Sequence, residues 1–210
     1  MSLIAPLPEA EAVDKTAQTY ARLKETLGVA ELPDAILAMG RVEPFLRDFY
    51  MNFKRFVATD GAIDARTKAV IAYATACQAK STVWIDILRQ RALTLGIEET
   101  QLTEVLAVVS TNSMYNTFFK FRDLSGSELF SGMAVGLRAH LFSATSLGEQ
   151  WVEMINIAIS NLNACKPCTS GHVDAARQMG LKDEQILEVI QCAATVASAC
   201  QFTSVASLDL

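Results

Sequence analysis

The chain has 210 residues, of which 51% are hydrophobic and 20% are charged, and this composition is that of a globular protein. Its length suffices for one full domain, or for two small halves that share one core. The formal net charge is −5 and there is no basic run, so the sequence offers no electrostatic attraction to nucleic acid or to an anionic membrane.

The N-terminal segment, MSLIAPLPEAEAVDK, turns acidic after a short apolar patch and lacks the basic region of a secretory signal. We therefore expect a cytoplasmic protein. The chain contains five cysteines, an odd number. In a reducing cytosol, a close pair of cysteines is more often catalytic or metal-binding than structural.

The residue pattern predicts an all-α protein. Ala, Leu, Glu, Gln, Lys and Arg dominate, apolar positions recur at helical spacing, and no stretch alternates long enough to predict a strand. Glycines and prolines divide the pattern into segments. In chain order, the predicted helices cover about residues 8–27, 34–40, 43–58, 64–79, 82–95, 98–121, 133–143, 148–163, 166–179 and 183–206.

One pattern occurs twice in the chain, as LGIEETQLTEVL and as MGLKDEQILEVI, at an offset of 84 residues. Gly96 and Glu104 of the first copy recur as Gly180 and Glu188 in the second. The repeated unit is a helix, a second helix, a glycine stop and a third helix. Two such copies predict a pseudo-symmetric helical core.

The repeat predicts three parts of the chain. Residues 1–60 are N-terminal packing helices, residues 61–126 are a first, degenerate repeat, and residues 127–210 are a linker and a second repeat that carries the active site. The second copy alone has polar groups of chemical interest. Its residues Glu153, Cys165, Cys168 and His172 correspond to Ala69, Ser81, Trp84 and Leu88 of the first copy.

Residues other than Glu153, Cys165, Cys168 and His172 are mostly expected to have packing roles. Arg66 and Lys68 are expected on a solvated face. The aromatic cluster at residues 115–119 is expected to pack, with a substrate channel as the alternative. We expect core thiols at Cys77, Cys192 and Cys200. Trp84 and Trp151 are expected to be core aromatics, and His140 is expected to be a surface or packing residue.

The stretch NACKPCTSGH, residues 163–172, is the most informative part of the chain. A cysteine must be a thiolate to attack anything. Pro167 favours the first turn of a helix, which places Cys165 and Cys168 at a helix N-terminus, where the macrodipole stabilises negative charge. His172 follows Cys168 by one helical turn, so it can accept or share the thiol proton.

Glu153 lies in an otherwise apolar helix that ends just before the motif. A buried carboxylate needs a partner, and His172 is the obvious candidate. Thiol, imidazole and carboxylate would then follow the order of nucleophile, base and orienter. The second cysteine can resolve a sulfenic acid into a disulfide before it over-oxidises.

Other interpretations of the motif stay open. Cys165, Cys168, His172 and Glu153 also supply four plausible zinc ligands, although structural zinc usually has more sulfur ligands. A non-enzymatic redox sensor or scaffold would form the same disulfide without turnover. Haem attachment requires a histidine where Thr169 stands, and a thioredoxin-type pair requires a βαβ setting that this sequence lacks.

The most membrane-like segment begins in the last predicted helix and runs from Val189 to Leu208, with no charge over 20 residues. Its glutamine, serine and threonine side chains make it too polar for a span that faces lipid. We expect a buried helix or a subunit contact, and no membrane partner.

The combination of Glu153, Cys165, Cys168 and His172, with NLNAC leading into the motif, resembles the alkylhydroperoxidase D (AhpD)-like family of the carboxymuconolactone decarboxylase superfamily. The segments MYNTFFKFRDL, VGLRAHLF and WVEMINIAISNLNACKPC extend the likeness over about residues 64–206. The resemblance implies an all-helical fold of two related halves and a homo-oligomer, often a trimer. It also implies reduction of alkyl hydroperoxides to alcohols without a bound cofactor, metal or haem.

The resemblance implies a role for each site residue. Cys168 attacks the hydroperoxide, Cys165 resolves the product, and His172 with Glu153 forms the proton relay. An external dithiol, such as a lipoyl-bearing protein, recycles the disulfide. The best-known members of the family have a histidine where this chain has Pro167, which puts its efficiency and reductant in question. The superfamily also contains cofactor-free lactone decarboxylases, which lack the cysteine pair.

Overall fold

The computed structural model describes residues 3–207, and within this range the chain is helical without any strand. The all-α prediction is therefore confirmed. Short 3-10 turns lie at Glu9–Glu11, Ala38–Arg41 and His140–Ser143, and a π-helical turn lies at Lys54–Ala58. The α-helices are α1 (Asp14–Leu27), α2 (Asp34–Leu37), α3 (Glu43–Phe53), α4 (Ala65–Ala79), α5 (Thr82–Thr94), α6 (Glu99–Leu124), α7 (Glu128–Ser131), α8 (Glu149–Leu162), α9 (Lys166–Gln178) and α10 (Asp183–Ala206).

The N-terminal helices share one core with the rest of the protein. Helix α1 buries Tyr20 on its apolar side and ends at Gly28, whose φ of +70° lies in the left-handed region that favours glycine. Helix α3 buries Phe49 and Phe53 against Trp84 of α5, with ring centroids 5.5 and 5.9 Å from the indole. These aromatic contacts fix α3 against the central helices.

Two sets of three helices, α4–α6 and α8–α10, follow one another along the chain. Each helix of the second set starts 84 residues after its counterpart, which is the offset of the sequence repeat. Helix α4 packs against α10, and α6 packs against α8, so the first helix of each set contacts the last helix of the other. The two sets therefore interleave around one core, and the division of the chain near residues 60 and 126 stays a prediction.

Helix α10 is long and apolar enough, by length and composition, to cross a membrane. Half of its most apolar 18-residue window is buried inside the protein, however. It packs against α3, α4 and α8. This is the environment of a helix that packs in the core of the protein, as its polar side chains lead one to expect. Leu208, at the end of the uncharged segment, lies outside the described residues.

The helix predicted over residues 133–143 is wrong. Only His140–Ser143 forms a 3-10 turn, and residues 133–139 are not helical. Gly136 adopts a φ of +68°, which a continuing helix cannot accommodate. Side chains of α6 hold this segment instead, because Tyr115 donates to the carbonyl of Leu137 at 2.9 Å and Arg122 donates to the carbonyl of Met133.

Lys68 is fully buried, so the expectation that it lies on a solvated face is wrong. Its Nζ donates to Glu188 Oε1 at 3.0 Å and to the backbone carbonyls of Thr59 at 2.8 Å and Arg55 at 3.3 Å. Glu188 Oε2 accepts the backbone N–H of Ile63 at 2.8 Å. The charges are thus compensated on both sides, and the pair ties the chain between α3 and α4 to α10.

Replacing Lys68 by methionine is expected to lower the free energy of unfolding by about 3 to 5 kcal/mol, because it leaves the Glu188 carboxylate buried without its cation. Urea denaturation followed by circular dichroism measures the change. The matched control is Lys54→Met on the exposed π-helical turn, which should alter stability by no more than about 0.5 kcal/mol. Equal stabilities of the two variants would contradict this account of the pair.

Candidate active site

The two cysteines of the motif lie where α8 passes into α9. Helix α8 ends at Leu162, Ala164 adopts a φ of +52°, and Cys165 is the residue that precedes α9. The sulfur atoms of Cys165 and Cys168 are bonded to each other at 2.13 Å. Cys165 is fully buried, whereas Cys168 keeps 9% of its surface exposed. Cys168 is therefore the cysteine that a substrate can reach.

The start of α9 provides an environment that favours negative charge at Cys168. Pro167 lies in the first turn of the helix, where its missing N–H leaves no helical hydrogen bond unmade. Cys168 is the third residue of α9, close to the backbone N–H groups that have no partner within the helix. These groups and the macrodipole stabilise a thiolate there once the disulfide is reduced.

Glu153 of α8 and His172 of α9 are in direct contact. His172 Nδ1 lies 2.7 Å from Glu153 Oε2, and the exposed fractions of the two side chains are 22% and 14%. An ionised carboxylate can only accept a hydrogen bond, so it holds the imidazole proton on Nδ1. Nε2 is then left as the nitrogen that can accept a proton. The contact expected from the sequence thus gives the imidazole the arrangement of a base.

A cavity of about 310 Å³ opens beside Cys168 and His172, which lie one helical turn apart on α9. Most of its remaining wall is aromatic or otherwise apolar, so it suits an apolar group placed next to the Cys168 sulfur. The cavity is lined by Tyr115, Phe119, Ala139, Phe142, Pro167, Cys168, Gly171 and His172.

Three aromatic rings from two separate parts of the chain form the apolar wall of this cavity. Tyr115 and Phe119 come from α6, and Phe142 comes from the 3-10 turn that precedes α8. The ring of Tyr115 lies 6.2 Å from that of Phe119 and 6.4 Å from that of Phe142. Tyr115 and Phe119 belong to the cluster for which the sequence left packing and a substrate channel open, and both line this cavity.

The other thiols are not placed for nucleophilic chemistry. Cys192 and Cys200 are buried, and burial raises the pKa of each to about 12. Cys77 is half-buried, and burial raises its pKa as well. All three stay protonated near neutral pH, as expected for core thiols.

The remaining residues singled out in the sequence are not among those that line the cavity. His140 and Arg66 are exposed and Trp84 is fully buried, as expected. Trp151 is only half-buried. Its Nε1 donates to Thr67 Oγ1 at 3.0 Å, and the guanidinium of Arg66 lies 4.9 Å from its ring centroid. Trp151 therefore contributes to the contact between α4 and α8 and is not enclosed in the core.

A row of hydrogen-bonded polar side chains that includes Asn163, the first residue of the motif, is the part of the site that sequence reasoning missed. We call this row the amide ladder. Its signal in the sequence is a pair of polar residues four apart in each of two apolar helices. Each member donates one hydrogen bond of 2.7 to 3.2 Å to the next, in the order Ser113, Gln78, Asn163, Asn116, Ser160, Asn112 and Asn156.

The geometry offers no support for the zinc interpretation. Within residues 3–207, no group of three or more His, Cys, Asp or Glu side chains is arranged to hold a metal ion. The sulfurs of Cys165 and Cys168 are bonded to each other, and the Nδ1 atom of His172 is directed at Glu153. Each of the four side chains is therefore already paired, Cys165 with Cys168 and His172 with Glu153.

Residues 129–208 match the family model described as the carboxymuconolactone decarboxylase family. The match includes α8, α9 and α10, and therefore the cysteine pair, Glu153 and His172. It leaves out the N-terminal helices and the first set of three central helices.

Curated relatives extend the similarity toward the N-terminus. A protein named alkyl hydroperoxide reductase AhpD from Anaeromyxobacter sp. (strain Fw109-5) is 23% identical over 153 residues, covering 73% of this chain and 82% of the relative. Proteins of the same name from Mycobacteroides abscessus and Corynebacterium kroppenstedtii are 29% and 23% identical. Each of these two alignments covers 61% of this chain and 72% of the relative.

Proposed function

We propose that this chain, which is an AhpD-like member of the carboxymuconolactone decarboxylase superfamily, is a thiol-dependent peroxidase that reduces alkyl hydroperoxides. One observation carries the proposal. Cys168, the more exposed of the two cysteines, lines an apolar cavity together with His172, and the Glu153 carboxylate orients the imidazole of His172. This arrangement supplies a nucleophile, a base and room for an alkyl group.

The first step of the proposed reaction oxidises Cys168. His172 Nε2 accepts the thiol proton, and Glu153 stabilises the resulting imidazolium. The thiolate sulfur attacks the terminal oxygen of the hydroperoxide, and the O–O bond breaks. The alkoxide leaves and takes the proton back from His172, which gives an alcohol, while Cys168 becomes a sulfenic acid.

The second step forms the disulfide. The thiolate of Cys165 attacks the sulfur of the Cys168 sulfenic acid, and hydroxide leaves and is protonated to water. An external dithiol then reduces the disulfide by thiol–disulfide exchange and is itself oxidised. In the complete cycle, one hydroperoxide and one dithiol give one alcohol, one water and one oxidised dithiol. No cofactor is needed.

The partners of the proposed enzyme are a hydroperoxide and a dithiol reductant, for which a lipoyl-bearing protein is our candidate. We further propose a cytoplasmic homo-oligomer, a trimer or a multiple of it. Its support is a run of exposed apolar side chains on the end of α6 and the segment after it, which in water favours a subunit contact. These side chains are Phe121, Leu124, Leu129, Met133 and Leu137.

The apolar wall leads us to expect that alkyl and aryl hydroperoxides are better substrates than hydrogen peroxide. Removing the ring with Phe142→Ala should lower kcat/KM for cumene hydroperoxide about tenfold, because burying an aromatic group contributes roughly 1.5 to 3 kcal/mol. The value for hydrogen peroxide should change less than about twofold, since that substrate has no group to fill the cavity.

Steady-state kinetics with the two peroxides measures this selectivity. Phe45→Ala is the matched control, because Phe45 stacks on Phe202 and neither ring lines the cavity. It should leave both kcat/KM values unchanged. An equal loss for both peroxides in Phe142→Ala would mean that the ring supports the fold of the site and not the substrate.

The proposed activity is tested by following cumene hydroperoxide consumption with dihydrolipoamide as the electron donor. Catalytic turnover supports the peroxidase. Formation of one disulfide followed by no turnover with dihydrolipoamide or dithiothreitol would instead indicate a redox sensor. Elemental analysis of the same sample tests the zinc interpretation. The cysteine pair argues against a lactone decarboxylase, whose proton-transfer chemistry has no use for a disulfide.

A further inference from the structure

The amide ladder passes through the turn that leads to the buried cysteine, because Asn163 of this turn is one of its inner members. Asn163 lies two residues before Cys165, and both ends of its side-chain amide are bonded. Its Nδ2 donates to Asn116 Oδ1 at 2.9 Å, and its Oδ1 accepts from Gln78 Nε2 at 2.7 Å. The side chain of Asn163 is therefore held between α6 and α4, so the turn cannot move without breaking these bonds.

The backbone of the same turn is held at a second point. Ala164 adopts a φ of +52°, which residues with a Cβ rarely take, so the conformation persists only where the surroundings enforce it. The N–H of Cys165 donates to the carbonyl of Ser160 at 3.0 Å, and the hydroxyl of Ser160 is itself a member of the ladder. Cys165 is thus attached to the ladder from both directions.

The corresponding contact on the other side of the core has no such row. At the repeat offset of 84 residues, the contact between α4 and α10 is equivalent to that between α8 and α6. It has apolar side chains or a core thiol where the ladder has polar ones. Asn112, Asn116, Asn156, Ser160 and Asn163 correspond to Val196, Cys200, Ala72, Ala76 and Ala79.

Packing alone therefore does not require the ladder. The row also carries a cost, because Asn156 is completely buried and its Nδ2 has no hydrogen-bond partner. An unpaired buried amide is retained where a polar network has a further use. Two members of the polar contact, Asn163 and Ser160, hold the turn that leads into Cys165, which indicates that the further use is to position this cysteine.

We propose that Asn163 is a positioning residue for Cys165 and that, through it, the amide ladder lowers the reduction potential of the cysteine pair. When the pair is reduced, the held turn keeps the Cys165 sulfur near that of Cys168. The two thiols therefore have a higher effective concentration, which favours the disulfide. This inference rests on the redox cycle of the proposed function, but it concerns the disulfide equilibrium alone.

The test equilibrates the protein with mixtures of reduced and oxidised dithiothreitol. In this exchange, each disulfide formed in the protein is balanced by one reduced in the reagent. Alkylation and mass spectrometry then give the oxidised fraction. Asn163→Ala should reduce the equilibrium constant for disulfide formation about tenfold, which for a two-electron couple corresponds to a potential about 30 mV less negative.

Two variants are matched controls. Asn112→Ala removes a buried ladder residue that is bonded to Ser160 and Asn156 but not to Asn163. Asn161→Ala removes an exposed asparagine at the end of α8 that is not in the ladder. Both should stay within about twofold of the wild-type equilibrium constant. Asn112→Ala should nevertheless lose thermal stability, which separates positioning from general loosening.

An unchanged constant in folded Asn163→Ala, or an equal shift in Asn112→Ala, would overturn the inference. If Asn163→Ala does not fold, Gln78→Ala decides. It removes one of the two bonds to Asn163 and should shift the constant about threefold, whereas no shift would reject the proposal. The titration uses no peroxide, so it can succeed even if peroxidase activity is absent. A wild-type protein that forms no disulfide would instead refute the proposed redox cycle.

Discussion

Cys168→Ser is expected to lose all measurable peroxidase turnover, a decrease in kcat of more than about 1000-fold. A serine hydroxyl at this position is not ionised near neutral pH and is a far weaker nucleophile toward an O–O bond than a thiolate. Cys165 cannot take over the attack, because its side chain is fully buried and Cys168 alone of the pair reaches the cavity. Coupled assays with dihydrolipoamide measure the loss.

Cys165→Ser should behave differently from Cys168→Ser. It keeps the attacking thiol, so one oxidation still occurs and the sulfenic acid can be trapped with dimedone, but no disulfide closes the cycle. Cys77→Ser is the control for loss of a thiol outside the site and should keep kcat within about twofold of wild type. Turnover by Cys168→Ser, or dimedone labelling of Cys165 in it, would reverse the assigned roles of the two cysteines.

His172→Asn is expected to slow the oxidation of Cys168 by about 100- to 1000-fold at neutral pH, because general base catalysis contributes a factor of this size. The defect should shrink as the pH rises toward 9. Hydroxide in solution then removes the thiol proton, and the variant no longer depends on an imidazole. Stopped-flow measurements of sulfenic acid formation between pH 6 and 9 give both the loss and its recovery.

The chain offers a matched control for this prediction, since His140 is its only other histidine. His140 is exposed in a 3-10 turn, so His140→Asn should keep the wild-type rate over the whole pH range. Glu153→Gln should also slow the reaction, because an amide no longer fixes the proton on Nδ1 of His172. A pH-independent defect in His172→Asn would show that the imidazole supports the structure of the site without acting as its base.

Local signals were sufficient to predict most of the helices. A glycine at a helix end and apolar residues at helical spacing are signals that each helix carries in its own sequence. Gly28, for example, ends α1 as such a signal predicts. The exception, residues 133–143, has an apolar composition, but its conformation depends on hydrogen bonds from Tyr115 and Arg122 of a distant helix. Such contacts have no signature within the segment itself.

The site shows the same limit. The approach of His172 to Glu153 could be predicted, because a short turn joins their two helices and each side chain needs a partner. The cavity could not be predicted, because Phe142 lines it only through the conformation of an irregular segment. The burial of Lys68 could not be predicted for a similar reason. A lysine in a helix is usually solvated, and only its partner Glu188, 120 residues away, makes burial possible.

The most direct test of the central claim treats the fully reduced protein with one equivalent of cumene hydroperoxide and maps every cysteine by alkylation and mass spectrometry. We predict rapid formation of a single disulfide between Cys165 and Cys168, with Cys77, Cys192 and Cys200 still present as thiols. Intact thiols at both positions of the motif would contradict the peroxidase mechanism.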